Sequence, residues 1–523
     1  MKILAVSPDI GIGGGDFIFP VGLSYITAAL KSAGHEVDCL VFKGKNGMMN
    51  LLNKNNYDFV ATGGLSFQYH NIKDITNLAK ENGKKIIAGG GIITSDPELM
   101  SRHLGVDYAV VGEGEDSVTE LLSCLDNGMD LSNVLGLGYY KNGEFILNGR
   151  RRQRENLDSL PMPDYESFDF SHHLDSLRSS DSYYYNLYDF PREYPLVSSR
   201  SCPYSCTFCY HPLGDKYRQR SIDSIMQELK LMIPRYRINI VGIYDELFSY
   251  NSDRILEFCE RFKDFTKTLS WDIKWGCQMR VESLDETVLK SMKQSGCFII
   301  SYGFESYSPV VLKSMKKHIT QEQIHSAIHM TLDCGISIQG NFIFGDVKET
   351  LDTAKETLEF WRTHIEAGIL LGFILPFPNS MLYRYCIEKG LIKDSVDFVK
   401  NHLFEIINMT QMDDNDFYRM SVLIYRYSWK YNKYVVPELI QKDSFIVCCP
   451  YCKERLEYKN FDTTRLFTTT WHIFCKNCKR RFYPLSSAYN IIRKLLLLFL
   501  YPWNYRLFVK LIKIHDRIKR FFL

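Results

Sequence analysis

Apolar positions in the first 135 residues fall into short continuous runs, separated by stretches of helical spacing. The runs Ile3–Val6, Val37–Val41, Phe59–Thr62, Ile86–Ala88 and Tyr108–Val111 read as strands covered on both faces. Leu23–Ser32 and Ile72–Glu81 read as helices between them. Glycines close the runs at Gly63-Gly64, Gly89-Gly90-Gly91, Gly112 and Gly114. This alternation predicts an α/β domain over 1–135, built on a doubly wound parallel sheet. Such a sheet takes its ligand on the loops at the strand C-terminal ends.

The pattern breaks over 136–193, a connector with the turn-rich stretch Leu160-Pro161-Met162-Pro163. Within it Ser179–Leu187, rich in Ser, Asp and Tyr, reads as an irregular segment lying over the surface. Alternation resumes over 194–395 with strand candidates at Leu196–Ser199, Asn239–Tyr244, Asp272–Cys277, Phe298–Gly303, Ser337–Phe344 and Ile369–Leu375. Six βα units predict a full or partial parallel barrel, with chemistry at the strand C-terminal ends. A helical extension (396–444), a small cysteine-bearing module (445–482) and an apolar, basic tail (483–523) follow.

Composition narrows the class. The 523 residues are 45% hydrophobic and 24% charged, ordinary globular usage that excludes a disordered or collagen-like chain. A formal net charge of +2 provides no global field for nucleic acid, so no specific nucleic-acid partner is expected. The chain opens on a strand-length apolar run rather than a signal sequence, and its 15 cysteines are an odd number. Both predict a cytoplasmic protein whose clustered cysteines serve metals.

The first cluster, Cys202-x3-Cys206-x2-Cys209, follows the first barrel strand. Three thiolates in one loop can hold three irons of a 4Fe–4S cluster and leave the fourth open to a ligand. The alternative is a zinc site closed by His211. In this context the chain resembles the radical S-adenosylmethionine (SAM) enzymes over about 194–395. The resemblance implies that Cys202, Cys206 and Cys209 hold the cluster and that Phe208 lies by the adenine. Gly303-Phe304-Glu305-Ser306 matches the segment that contacts SAM, and Arg280, at the end of the third strand, is a candidate for contact with SAM or substrate, with a structural role as the alternative. Tyr244-Asp245-Glu246 resembles an acidic loop, and Gly340–Gly345 with Glu349-Thr350 resembles a fifth-strand pattern. Val347 and Asn379-Ser380 depart from the family in loop detail. The open iron would chelate SAM, and reductive cleavage would yield a 5′-deoxyadenosyl radical. An electron donor such as flavodoxin or ferredoxin is implied.

Residues 1–135 are similar to the cobalamin-binding domain fused to many such enzymes. Phe19-Pro20-Val21-Gly22, Gly34-His35-Glu36-Val37, Gly89-Gly90-Gly91 and Val110–Glu115 carry the likeness. It implies cofactor contacts at Pro20, Gly22, Gly63, Gly64, Gly90, Gly91, Gly112 and Glu113. Small residues there would let a flat corrin approach the backbone. The Asp-x-His-x-x-Gly motif is absent, so the cobalt would lack a lower His ligand. Gly13-Gly14-Gly15 lacks the Lys-Ser/Thr of a P-loop.

The second cluster, Cys449-x2-Cys452 and Cys475-x2-Cys478, has the form of a zinc ribbon, with an auxiliary iron–sulfur cluster as the alternative. In the tail, Leu495–Leu500 is too short to span a bilayer, and basic residues interleave the apolar ones. This pattern suits peripheral membrane contact through 483–523 or packing on the body.

Together these features predict a cobalamin-dependent radical SAM enzyme that methylates an unactivated carbon of a small-molecule or lipid-like substrate. One alternative is a cobalamin-independent radical SAM enzyme acting on RNA or protein. The other is a non-catalytic, metal-stabilised scaffold at a membrane.

Overall fold

The computed structural model describes residues 1–9, 19–283, 285–468 and 471–500. Residues 10–18, which include Gly13-Gly14-Gly15, and the end of the tail, 501–523, lie outside the described residues.

The N-terminal sheet contains β1 (Lys2–Pro8), β2 (Glu36–Phe42), β3 (Phe59–Gly63), β4 (Lys85–Gly89), β5 (Tyr108–Val110), β6 (Leu137–Lys141) and β7 (Glu144–Leu147). Their order is β2-β1-β3-β4-β5-β6-β7. The first five are parallel, as the continuous apolar runs predict, while β6 and β7 add antiparallel. The sheet therefore runs past residue 135: Leu137 and Tyr139 are buried against β5, an edge extension that the break in glycine spacing concealed.

The two faces of this sheet serve different cores. Ile3, Ala5, Phe59, Ala61, Ile87 and Val110 belong to a core continuous with that of the second sheet. Leu4, Val6, Val60, Ile86 and Ala88 share a core with Leu382, Cys386 and Phe398, from the chain beyond the second sheet. The N-terminal domain is thus held on both sides by later parts of the chain.

The second sheet contains β8 (Glu193–Leu196), β9 (Ile240–Ile243), β10 (Lys274–Met279), β11 (Cys297–Glu305), β12 (Ser337–Phe344) and β13 (Ile369–Phe373). All six are parallel, in the order β13-β12-β11-β10-β9-β8. This is the expected partial barrel, and β8 begins earlier than the apolar pattern suggested.

The expectation for Ser179–Leu187 fails. Ser179, Ser180 and Asn186 are at most 1% exposed. The segment is sandwiched between the barrel and the cysteine-bearing module. Asn186 Nδ2 donates to the Phe474 carbonyl at 2.8 Å, and the Ser179 amide donates to the Asn460 carbonyl at 2.9 Å. Polar composition implies exposure only where no partner backbone takes up the hydrogen bonds. Here the module supplies one, and Arg481 reaches from it to the Gly368 carbonyl at 2.6 Å.

The helix Ser487–Leu495 packs back onto the body through Arg493, which is buried over the Tyr434 ring at 4.2 Å. One of the basic residues expected to face a membrane interface therefore points inward. No helix among the described residues is long and apolar enough to cross a membrane.

Candidate active site

A cavity of about 480 Å³ lies where the C-terminal ends of the two sheets meet. The N-terminal domain lines it with Pro20, Gly22, Gly63, Gly64, Gly90, Gly91, Gly112 and Glu113, all eight residues singled out above. The second sheet lines it with Ser199, Arg200, Ser201, Tyr244 and Glu246. It sits over β1 and β3, the pair at which the strand order reverses.

The glycines divide by what a side chain would meet. At Gly22 and Gly112 a Cβ would enter open space. At Gly63 it would stand 2.7 Å from the Gly89 carbonyl oxygen, and at Gly90, with φ +82°, 2.8 Å from Gly64 backbone. Gly63 and Gly90 therefore let two loops pack against each other, and only Gly22 and Gly112 keep space clear. None of the described lining residues is a histidine.

Glu113 is engaged elsewhere. Arg218 Nη1 donates to its carboxylate at 2.7 Å, and Arg200 Nη1 lies 3.4 Å away. Arg200 also pairs with Glu115 at 2.5 Å and lies 5.3 Å from the Tyr25 ring centroid. All four charged side chains are at most 8% exposed. This network joins the loop after β5 to the ribbon Ser199–Arg200/Arg218–Gln219, between whose strands the first cysteine group lies. Removing one partner of such a pair costs about 3–5 kcal/mol, because the other charge stays buried. Neither arginine stood out in the sequence, since their partners lie 85 and 105 residues away.

The cysteine loop starts at Ser201, whose φ is +68°. It is pinned by the Thr207 amide on the Met315 carbonyl (3.0 Å) and the Leu382 amide on the Thr207 carbonyl (3.1 Å). Cys206 is buried, Cys202 half-buried and Cys209 exposed. Phe208 packs against the core that holds Met315 and Leu382.

A buried ion pair stands at the end of β11. Lys317 Nζ lies 3.0 Å from Glu305 Oε1, with both side chains about nine-tenths buried. Glu305 has φ +63°, and the register with β12 shifts between Gly303 and Glu305, a bulge that re-aims the carboxylate. Gly303 makes the room: a Cβ there would lie 2.2 Å from Glu305 Oε1. The Arg280 guanidinium stacks 3.6 Å from the Tyr204 ring centroid and donates to the Lys317 carbonyl at 2.6 Å. The Ser306 hydroxyl is turned away, 3.2 Å from Thr357 Oγ1. Lys317 and Tyr204, missed in the sequence, complete this cluster of charges.

The acidic loop after β9 splits. Asp245 is buried and accepts from the Ser198 amide at 2.8 Å, and burial pushes its carboxyl up to about 6. It braces the β8 end. Glu246 lines the cavity, and its Oε2 lies 2.7 Å from His211 Nδ1, which raises the His211 pKa.

A second cavity of about 310 Å³ lies inside the barrel, lined by Gly242, Gly276, Gln278, Ser301, Tyr184 and Tyr244. Tyr244 borders both cavities. Its hydroxyl donates to Glu193 at 2.7 Å; Tyr184 and Tyr185 donate to the same buried carboxylate, and desolvation pushes its pKa up.

Two family descriptions match the chain in register with this geometry. Residues 12–122 match the B12 binding domain, and residues 196–360 match the radical SAM superfamily. The chain thus carries a B12-binding domain followed by a radical SAM domain. The cavity thus lies between a B12-binding and a radical SAM domain, and cobalamin, SAM and a 4Fe–4S cluster are the cofactors that go with them. The chain is 28% identical over 411 residues to the uncharacterized methyltransferase PH0819 of Pyrococcus horikoshii, covering 75% of this chain and 84% of that protein. It is 24% identical to the bacteriochlorophyllide d C-8(2)-methyltransferase of Chlorobaculum tepidum, covering 72% and 78%. Among solved structures, it shares its fold with the radical S-adenosylmethionine methyltransferase TsrM of Kitasatospora setae. The TM-score is 0.60 at 17% identity, over 74% of this chain and 75% of that one.

Proposed function

We propose that the protein is a cobalamin-dependent radical SAM methyltransferase acting on an unactivated carbon of a small molecule. The observation that carries this reading is a cavity walled by loops of both sheets, which Ser201, at the start of the cysteine loop, also lines. When bound, the cluster and SAM supply a radical source and cobalamin supplies a methyl carrier.

The chain's own residues then have distinct tasks. Cys202, Cys206 and Cys209 ligate three irons. Gly303 and Arg280 would border bound SAM, Glu305 would offer its Lys317-held carboxylate to the SAM amino group, and Phe208 would flank the adenine. Ser306 acts through its backbone, because its hydroxyl is taken up by Thr357. Gly22 and Gly112 leave the corrin face free. The inner barrel cavity takes the substrate, with Tyr244 between it and the corrin. A relative named as a bacteriochlorophyllide d methyltransferase supports a small-molecule substrate.

Cys449, Cys452, Cys475 and Cys478 hold a structural zinc in a ribbon-like module. A flavodoxin- or ferredoxin-type protein supplies the electron. Exposed Ile491, Ile492, Leu495 and Leu498 support peripheral membrane contact through 483–523.

The test is visible absorption after anaerobic reconstitution with hydroxocobalamin. One equivalent bound with a base-off spectrum is expected, and Gly22→Phe should abolish it while the cluster loads normally. An intact cluster with no cobalamin bound by the parent would overturn the reading and leave the cobalamin-independent alternative.

A further inference from the structure

We propose that His325, His329 and His364 form a divalent transition-metal site on the outer face of the barrel, suited to Zn²⁺, Ni²⁺ or Cu²⁺. Three of the chain's 13 histidines converge here. His325 and His329 stand one turn apart on the helix Gln321–Asp333 and so share a face. His364 ends the neighbouring helix Leu351–Thr363. Ring centroids are 4.3, 5.4 and 6.0 Å apart, and one ligand nitrogen from each ring lies within 4.8 Å of the others. Two imidazoles at i and i+4 on one helix form a chelating pair. A third from another element makes the His₃ set that binds zinc in open sites.

The orientation of His364 supports this use. Its Nδ1 lies 2.8 Å from the Phe360 carbonyl oxygen, which can only accept, so Nδ1 carries the proton and Nε2 keeps its lone pair. Ligand histidines are oriented in this way by a carbonyl behind them. The ring also stacks on Phe360 at 4.1 Å, which stacks on Tyr307 at 3.8 Å. With Zn–N bonds of about 2.0–2.1 Å, tetrahedral ligand nitrogens stand about 3.3 Å apart. His325 and His329 are exposed, so a small side-chain rotation closes that gap.

Three protein ligands leave a coordination position to water. The ion would tie together the helices that follow β11 and β12. The second of these carries Thr357, the partner of Ser306. The site is therefore a staple behind the Gly303–Ser306 segment, and it is independent of the cobalamin reading.

The test is equilibrium dialysis of the full-length, cofactor-loaded protein against Ni²⁺, with nickel counted per chain. His329→Ala and His364→Ala are run beside the parent, and His103→Ala, at another surface histidine, is the control. One saturable Ni²⁺ is expected in parent and control, with affinity at least about tenfold weaker in either variant. Added Zn²⁺ should raise the melting temperature of the parent but not of the two variants. Equal nickel binding by parent and variants, or no saturable binding by the parent, would overturn the site.

Discussion

The two cysteine groups have nearly the same local spacing, yet the fold treats them in opposite ways. In the second group four sulfurs face each other, with Cys449 Sγ 3.7 Å from Cys478 Sγ and Cys452 Sγ 3.6 Å from Cys475 Sγ. The two knuckles repeat one geometry. The Lys453 and Lys479 amides donate to the Cys449 and Cys475 carbonyls at 3.1 and 3.0 Å, and the two lysines have φ of +63° and +61°. A private core of Phe445, Val447, Tyr458, Phe461 and Phe482 surrounds them. The first group is a single loop with three sulfurs, graded from buried Cys206 to exposed Cys209. Across from it stand Arg280 and the Glu305–Lys317 pair rather than a fourth thiol. A closed ligand set fixes a fold, whereas an incomplete one leaves a coordination position for chemistry.

The largest expected effects separate these roles. Cys206→Ala should abolish cluster loading and reductive SAM cleavage, at least about 10³-fold in rate, yet leave the melting temperature nearly unchanged. Iron content, 5′-deoxyadenosine release and a thermal melt on the same sample check this. Cys475→Ser should act through the fold: zinc is lost, the melting temperature falls by several degrees, and proteases gain access to 177–189, which the module covers. Limited proteolysis locates the cut. Retained protection at 177–189 in Cys475→Ser would break the contrast.

Next comes the charge pair facing the first group. Lys317→Met leaves the Glu305 carboxylate buried without its cation, which costs about 3–5 kcal/mol locally and shifts it toward the neutral acid. SAM binding should weaken about 10–100-fold, read by equilibrium binding under anaerobic conditions. Glu305→Gln should weaken it at least as much, because it leaves the Lys317 ammonium buried without its anion and removes the carboxylate itself. Gly303→Ala should behave like Lys317→Met, since its Cβ would occupy the space of that pair.

How much of this was legible in the sequence depended on distance along the chain. Parallel strands are visible as apolar runs, so β1 to β5 and all six barrel strands fell near their predicted places. Cysteine spacing is local, and so both groups were visible. The glycines at strand ends were visible as well, but not their division of labour: Gly63 and Gly90 serve loop packing, and Gly22 and Gly112 leave open space. What stayed hidden was formed by long-range polar pairs. Arg200 and Arg218 meet Glu113 and Glu115 across two domains, and Lys317 reaches Glu305 from the next loop. Arg481 enters the barrel from another module. Charge alone marks these residues as solvent-exposed, and only the fold shows them buried. The error at Ser179–Leu187 has the same source.

The smallest effect concerns pH and again divides the molecule between its reactive and its closed end. At the reactive end, the loop after β12 buries Asp346 and Glu349, and burial with the nearby Asp346 pushes the Glu349 carboxyl from an ordinary 4.5 up to about 8. Each carboxylate has one oxygen without a hydrogen-bond partner. A raised folded-state pKa means that the native state holds the proton more tightly. Its contribution is complete below the unfolded value of about 4.5 and is lost as pH rises through about 8, at no more than about 1.4 kcal/mol per pH unit. Hydrogen exchange, corrected for its intrinsic pH dependence, should therefore speed up in 345–357 between pH 6 and 9. The rates in 445–482 should not speed up over the same range, because thiolate ligation strengthens as pH rises. Glu349→Gln, which keeps the neutral shape at every pH, should flatten the response at 345–357. If the variant keeps the parent's pH slope, Glu349 is not the group that titrates, and the pH contrast between the two ends fails.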